Sequence, residues 1–514
     1  MRRIPATDAG FLLAEKREAP QHVGGINLFS LPRGVNEREY FAELKEILYN
    51  ARDFRKPFGE IAVPGRLPGQ MYWEEDKDLD LDYHIRHSAL PKPGRYRELF
   101  ALVSRLHATL LDRTRPLWEI HLIEGLENRQ FAIYQKLHHA AIDGVGAMHM
   151  TRAMCSTDPN AKAFDSPLSL SMFERYRDAT GLGTPKKPVA PTDQELRSVS
   201  ELFRSQFDTT ANVLGALKSF GGALFGVGNS ELTVPWRNVP HTSINTKVSG
   251  SRRFVAQSWP IARVKAVSKA VNGTLNDVVL AMCSGAFRRY LIDQNELPKL
   301  PLKAMVPVSL RSESDIESAN AVGFITADLA TNIRSPERRL RVIQESVQAG
   351  KKFINSMSQR EAEIFLQFVQ VPTVLTTVLG MAARFPSFST VISNVPGPRE
   401  QLYWHGAALQ GMYPASIVFD GFAMNVTLVG YNQNLDFGII ACRRSVPHVQ
   451  RMIDYLEDAL QELEEMAGLK ASPGKSRATG GAKRKTKATP KAKARVKSKS
   501  RAPTKSKAGS GRKK

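Results

Sequence analysis

Two adjacent histidines, His138 and His139, leave the end of an apolar run, and Asp143 and Gly144 follow in the order His-His-x-x-x-Asp-Gly. The run Phe131-Ala132-Ile133-Tyr134 reads as a buried strand. An imidazole titrates near neutrality, so it can take a proton from a hydroxyl at cellular pH. Successive strand residues point to opposite faces, so only one of the two histidines is expected to face a given cavity. Asp143 is spaced to turn back and hold the loop, and Gly144 permits the sharp turn. A zinc site from His138, His139, Asp143 and His149 would need adjacent residues as ligands, with no cysteine partner or short HxxxH spacing, so no metal is expected. No GxSxG elbow accompanies the pattern, which leaves a serine-hydrolase triad without support. Taken alone, these residues point to a general base at a strand end.

The elements that must hold this base can be read from periodicity. Arg115–Ile123 and Gln130–Leu137 form a hairpin turning near Glu127-Asn128-Arg129, with the histidines at its far end. Val145–Met154 continues as a helix. Upstream, His22–Phe29 reads as a strand after a Gly pair, residues 37–52 as a helix, Asp78–Ile85 as a half-buried strand, and Arg97–Leu111 as an amphipathic helix. His84 and His87 are given surface or structural roles. Residues 156–240 turn rich in Pro and Gly and read as a crossover; within them Asn212–Val227 is either a packed helix or a surface for lipid. A second alternation opens at Arg253–Trp259. It continues through a helix capped at Thr274, strands at Ala304–Arg311, Val322–Leu329 and Thr390–Pro398, a hairpin around Asn432–Asn434, and a last helix at Val446–Met466. Strand-helix alternation on both sides of the crossover predicts an α/β protein of two lobes.

The 514 residues suffice for two or three sizeable cores, and 42% hydrophobic content fits a globular body. The formal charge of +22 suggests nucleic acid or a membrane, but its location narrows that inference. Residues 470–514 hold 18 of the 72 Lys+Arg and no Asp or Glu, leaving 54 basic and 50 acidic side chains elsewhere, a net of +4. This tail has no aromatic residue and cannot bury a core, so it is expected to be disordered. It can serve solubility, anionic lipid or nucleic acid; without interleaved aromatics, base stacking is disfavoured. Cys155, Cys283 and Cys442 show no CxxC spacing and read as reduced thiols of a cytosolic protein. No apolar stretch follows Met1-Arg2-Arg3, so no signal peptide is expected. No run is long enough to span a bilayer; the nearest, 371–385, is broken by Pro372.

The motif His138-His139-Ala140-Ala141-Ile142-Asp143-Gly144 resembles the active-site signature of the coenzyme-A-dependent acyltransferase superfamily. Pro116-Leu117-Trp118-Glu119, Asn276-Asp277, Val308-Ser309-Leu310-Arg311, Ser393–Pro398 and the opening Asp8…Phe11-Leu12…Glu15…His22-Val23-Gly24 resemble the bacterial wax ester synthase/acyl-CoA:diacylglycerol acyltransferase family, in the family's order over about residues 4–468. Gln21, where methionine is usual, and the basic tail depart from the pattern. The resemblance implies two chloramphenicol-acetyltransferase-like lobes with mixed sheets: 1–155, a helical crossover 156–240, and 241–468, followed by the tail 469–514. It implies a tunnel between the lobes and His139 as general base on a fatty alcohol or diacylglycerol hydroxyl, which attacks a long-chain acyl-CoA directly. His138 and Asp143 would orient the loop. Asn276, Arg311 and Glu15 would hold the lobe interface, and Trp118 and Asn394 would shape the site beside Gly144.

Acyl-CoA is then a co-substrate and no cofactor is expected. The expected location is the cytoplasm, peripheral to the inner membrane or lipid inclusions, with the tail as a contact to that surface; nucleic acid is disfavoured as a partner. Two other readings compete. One is a condensation-type acyltransferase with another acyl donor, against which stands the lack of any carrier domain. The other is a non-catalytic protein that associates with lipid or nucleic acid through its tail.

Overall fold

The computed structural model of the chain describes residues 1–469 apart from 52, 68, 164, 181–210, 228–231 and 310–321. Seven strands come from the first part of the sequence: β1 (Arg2–Arg3), β2 (His22–Ser30), β3 (Glu60–Pro64), β4 (Met71–Glu75), β5 (Ile85–Ala89), β6 (Trp118–Leu126) and β7 (Gln130–His138). Eight follow: β8 (Arg252–Pro260), β9 (Lys303–Ser309), β10 (Val322–Asp328), β11 (Thr390–Pro396), β12 (Tyr403–Trp404), β13 (Ala407–Ala415), β14 (Met424–Tyr431) and β15 (Asn434–Cys442). They build two six-stranded mixed sheets, ordered β12-β13-β2-β7-β6-β5 and β10-β9-β11-β14-β15-β8, and a small sheet β1-β4-β3.

The β6–β7 hairpin turns through Asn128 and Arg129, both at positive φ, and β2 pairs with β7 along its whole length, His22 opposite His138. Each face of this sheet is buried against helices. One packs on the helix Glu37–Tyr49, which presents Tyr40, Phe41, Leu44, Ile47 and Leu48 at helical spacing, and on the helix Gly144–Met154. The other packs on the helix Tyr96–Leu106, which is wedged against β8 of the second sheet; Ser104 Oγ accepts the Phe254 N–H at 2.8 Å. The second sheet is covered by the helix Leu275–Asp293, which is buried all round from Asp277 to Ser284 and is capped by Thr274 and Asp277 reciprocally, and by the helices Pro336–Asn355, Gln359–Val378 and Arg451–Met466.

The two halves exchange an element. Strand β13 comes from the stretch expected to lie wholly in the second lobe, yet it pairs with β2 of the first sheet, Pro414 opposite Gly25. Gly411 and Pro414 weaken its strand signal, and its partner lies nearly 400 residues upstream, so periodicity alone does not show it. A second difference concerns Asp78–Ile85. Despite its alternation, this stretch holds a single helical turn, Leu81–His84, because the Asp80 carboxylate caps it by accepting the N–H groups of Asp82 and Tyr83. Pairing begins only at Ile85. His84, expected at the surface or in a structural role, is fully buried, its Nδ1 2.7 Å from Trp118 O. Within 156–240 the described residues include helices Leu170–Thr180 and Ala211–Phe225; the latter buries Ala216 and Ala223 and ends on exposed Phe225.

Candidate active site

Strand β7 carries the site, and its alternation divides it into two environments. Phe131, Ile133, Gln135 and Leu137 point to the face covered by the helix Gly144–Met154, whereas Ala132, Tyr134, Lys136 and His138 point to the opposite face. At the strand end the backbone folds back on itself: the His138 carbonyl accepts the Ala141 N–H at 2.9 Å, and the His139 N–H donates to Gln21 O at 2.9 Å. Asp143 then caps the helix, its Oδ1 accepting the Gly146 N–H at 2.7 Å, which leaves Gly144 as the first helical residue. A Cβ on Gly146 would meet Ile142 at 2.7 Å, so this turn admits only glycine without rearrangement.

The two imidazoles have separate surroundings. His139 is partly buried, and its ring stacks on Phe11 with centroids 4.1 Å apart and planes 16° from parallel. Burial lowers its pKa below the ordinary histidine value; the Asp143 carboxylate opposes that shift and His138 adds to it. His139 is therefore a neutral base at pH 7. His138 is fully buried on the other face. Its Nδ1 accepts the Ala140 N–H at 3.1 Å, so the ring proton belongs on Nε2, which stands 3.5 Å from Glu15 Oε1. Glu15 also accepts the Gln21 N–H at 2.9 Å and Arg113 Nε at 3.0 Å. Burial by itself would raise the Glu15 pKa, but His138, the Gln21 amide and Arg113 outweigh it, so the carboxyl titrates below its usual range.

A buried polar layer continues beneath the strand. His22 Nε2 lies 2.9 Å from His107 O, and His107 contacts Tyr134 Oη and Ser416 O. Lys136, with no exposed side-chain surface, reaches Glu119 Oε2 at 3.4 Å and Thr109 Oγ1 at 3.2 Å; His121 Nε2 lies 3.2 Å from the same carboxylate oxygen. Burial opposes ionisation of Glu119, yet the bonds from His121 and Lys136 hold it down to about 2. Burial pushes His107 down to about 3 and His22 well below the ordinary value, so both remain neutral.

On the other face, toward which Leu137 points, a narrow cavity of about 90 Å³ opens between the two sheets; His139 is not among its lining residues. Val23, Gly25, Asn27, Gln135, Leu137 and the helix residues Gly144, Ala147 and Thr151 line it from the first half. Val395, Met412, Pro414, Thr427 and Val429 close it from the second. The lining is mainly apolar with a few polar groups, the character of a site for a hydrocarbon chain. Among the described residues, no group of three or more His, Cys, Asp and Glu side chains gathers as a metal site.

The other residues named from the sequence divide. Gly144 lines the cavity. Glu15, expected at the lobe interface, instead stands beside His138; the neighbouring Lys16 crosses between the halves with a 2.8 Å ion pair to Asp420. Trp118 is a buried support, its indole N–H donating to Phe58 O at 2.8 Å and its ring stacked on His84. Asn394 lies on the face of β11 opposite Val395, with Ile392 and Leu428, and so turns away from the cavity. Asn276 sits in the first turn of the helix Leu275–Asp293 and is not among the lining residues. Arg311 lies outside the described residues, as does the basic tail. The sequence reading gives no role to Arg113, Lys136 or Glu119, nor to the contact of Phe11 with His139; Phe11 and Glu119, each inside a quoted motif, are the two with a signal to follow.

Comparison with known proteins places these features in a family. Residues 4–279 match the wax ester synthase/diacylglycerol acyltransferase catalytic domain, and residues 318–464 match the WS/DGAT C-terminal domain. The probable diacylglycerol O-acyltransferase tgs2 of Mycobacterium tuberculosis is 42% identical over 469 residues, 90% of this chain and 98% of that protein. The O-acyltransferase WSD of Acinetobacter baylyi is 39% identical over 469 residues, 90% of this chain and 97% of that one. The solved wax ester synthase/diacylglycerol acyltransferase from Marinobacter aquaeolei VT8 superposes with a TM-score of 0.71 at 39% identity, covering 91% of this chain and 100% of its own. The first condensation domain of the CDA synthetase, at 16% identity and a TM-score of 0.52, shares the fold.

Proposed function

Because this chain belongs to the wax ester synthase/diacylglycerol acyltransferase family, we propose that it moves a long-chain acyl group from acyl-CoA to the hydroxyl of a fatty alcohol or diacylglycerol, with His139 as the general base. The observation that carries the residue assignment is the division between the two histidines. His139 is partly exposed, stacks on Phe11 and stays neutral, whereas His138 is fully buried and tied to Glu15. A neutral hydroxyl is a poor nucleophile. His139 takes its proton as the oxygen attacks the thioester carbonyl. The tetrahedral intermediate then collapses, the carbon–sulfur bond breaks, and the imidazolium returns the proton to the departing sulfur, giving the ester and free coenzyme A. The chemistry needs neither a metal nor a prosthetic group. Asp143 shapes the turn and supports the imidazolium through its charge; His138 fixes the strand end.

The substrates are lipids, and the chain presents a surface suited to a lipid layer. Phe368, Val371, Leu375, Val378 and Leu379 recur along one face of the helix Gln359–Val378 and its end, all exposed, and exposed Phe385 follows. Arg384 is the one charged residue in 364–389. The helix packs against Ala6–Ala14, which carries Phe11 to His139. Among the described residues no helix is long and apolar enough to cross a membrane, so this stripe would rest on a lipid surface, with the basic tail adding attraction to anionic headgroups.

Release of coenzyme A from palmitoyl-CoA with hexadecanol, and separately with dioleoylglycerol, tests the reaction; turnover with neither acceptor contradicts it. Co-sedimentation with zwitterionic and anionic vesicles tests the surface. Leu375→Asp should weaken binding to both, whereas ending the chain at Leu469 should weaken binding to anionic vesicles at low salt alone. Unchanged binding by both variants removes the lipid-surface assignment.

A further inference from the structure

Two consecutive glycines in β2 meet opposite surroundings. A Cβ on Gly24 would lie 2.7 Å from Gln135 O and 2.9 Å from the Tyr134 ring, so that position is closed by the neighbouring strand. A Cβ on Gly25 would find nothing within 4 Å, and its φ lies outside the positive range, so a side chain there meets neither a steric wall nor backbone strain. Gly25 lies between Val23 and Asn27 on the cavity face and stands in register with Gln135 on one side and Pro414 on the other, all four of which line the cavity. The absent side chain leaves a gap in the floor of the slot. A strand glycine with open space above it marks a close approach by something else.

We propose that Gly25 is the chain-length gauge of this enzyme: the gap above it admits the hydrocarbon chain of a substrate past the level of Gln135. The inference rests on the acyl-transfer reading with His139 at the reacting end. Gln135 precedes the strand end at His138 by three residues, so the gauge lies about 10 Å from the end of the strand that carries the histidines, at ~3.3 Å per residue. A zigzag of ~1.5 Å carbon–carbon bonds advances about 1.3 Å per methylene, so that span corresponds to roughly eight carbons. Chains shorter than that end before the gap; longer ones must pass through it. The ligand chemistry is a linear alkyl chain, and either the acyl donor or the alcohol acceptor can supply it.

The test measures kcat/KM of the parent, Gly25→Ala and Gly25→Val in two series. In one, octanoyl-, dodecanoyl- and palmitoyl-CoA react with octanol; in the other, octanoyl-CoA reacts with octanol, dodecanol and hexadecanol. In one series Gly25→Val should keep octyl turnover within about threefold of the parent and lower the long-to-short ratio at least ~10-fold, Gly25→Ala falling between, since contacts worth a methylene or two discriminate on that scale. The series that moves identifies which chain occupies the slot. Unchanged ratios in both series overturn the proposal, as does an equal loss at every chain length in a variant with the parent's melting temperature. If Gly25→Val does not fold, Gly25→Ala decides by the same ratios. No turnover by the parent in either series would instead strike the acyl-transfer reading itself. Gly24→Ala is the control: it should lower the melting temperature and leave the chain-length ratio of the folded fraction unchanged.

Discussion

The two faces of strand β7 are made from alternate residues of one nine-residue segment, yet they obey different physics. The odd-numbered face, Phe131 to Leu137, borders apolar side chains and a cavity shared by both sheets, and His139 follows in the turn beyond it. The even-numbered face beyond Ala132, with Tyr134, Lys136 and His138, is a buried polar layer in which Glu119, Glu15, His22, His107 and Arg113 supply partners. Charges removed from water must be paired or they shift their pKa. The polar face meets that demand with contacts to four other segments. Such a layer adds little net stability compared with an apolar one, but removing one member leaves the others exposed to the full cost of desolvation. The difference assigns the histidines: the tied one is a structural member and the untied one is free to exchange a proton.

Adjacent substitutions break this comparison most directly. Lys136→Met should destabilise the fold by about 3 kcal/mol, because Glu119 loses a buried partner, while the folded fraction keeps its turnover. Gln135→Leu, one residue away, should leave the melting temperature nearly unchanged and alter KM, because it changes the cavity wall. Denaturant unfolding and steady-state kinetics on both variants check this, and similar stability losses would erase the distinction between the faces.

Glu15→Gln probes the same layer more gently. It retains an acceptor for the Gln21 N–H but removes the charge facing His138 and Arg113, and should cost about 1–3 kcal/mol. Acid titration sharpens the point. Glu15 and Glu119 have folded pKa values below their unfolded ones, so their stabilisation is complete above about pH 4.5 and disappears as the pH falls, through about 2 for Glu119. His22 and His107 are held neutral. Below about pH 6.5 the unfolded chain takes up protons that these buried rings refuse, and stability declines from there toward the folded value of about 3 for His107. Stability measured against pH should thus begin to fall near 6.5, with a shallower slope below 4.5 in Glu15→Gln.

The smallest expected effect concerns Asp143→Asn, which keeps a capping side chain at the start of the helix Gly144–Met154 and removes one charge. Asp143 raises the His139 pKa against the effect of burial, so the variant's acid limb in kcat/KM should move to lower pH. In the parent that limb should already lie below 6.5. A limb that moves upward would contradict the charge relation between the two residues.

Much of the fold could be read from the sequence wherever the determinants are local. The hairpin β6–β7 shows as period-two apolar runs around Glu127-Asn128-Arg129, and Thr274 with Asp277 marks a helix start through a bond within four residues. The histidine pair and the Asp-Gly turn are equally local. Features set by distant partners were hidden: Lys136 appears as a charge in an apolar strand until Glu119 is opposite it, and Glu15 has no visible partner until Arg113 and His138 arrive. β13 was missed because a glycine and a proline dilute its pattern and its partner is β2. The alternation at Asp78–Tyr83 misled because a side-chain cap outweighed it at Asp80. Asn394 sits in a legible strand, but which face meets the cavity depends on the register of β11 with β14.

The central claim, that the two neighbouring histidines divide proton transfer from scaffolding, is tested most directly by the turnover of His139→Ala on long-chain acyl-CoA and alcohol, with its melting temperature measured alongside. The account expects kcat to fall roughly 10²–10⁴-fold with little change in melting temperature. Turnover within about threefold of the parent in the folded variant would contradict it.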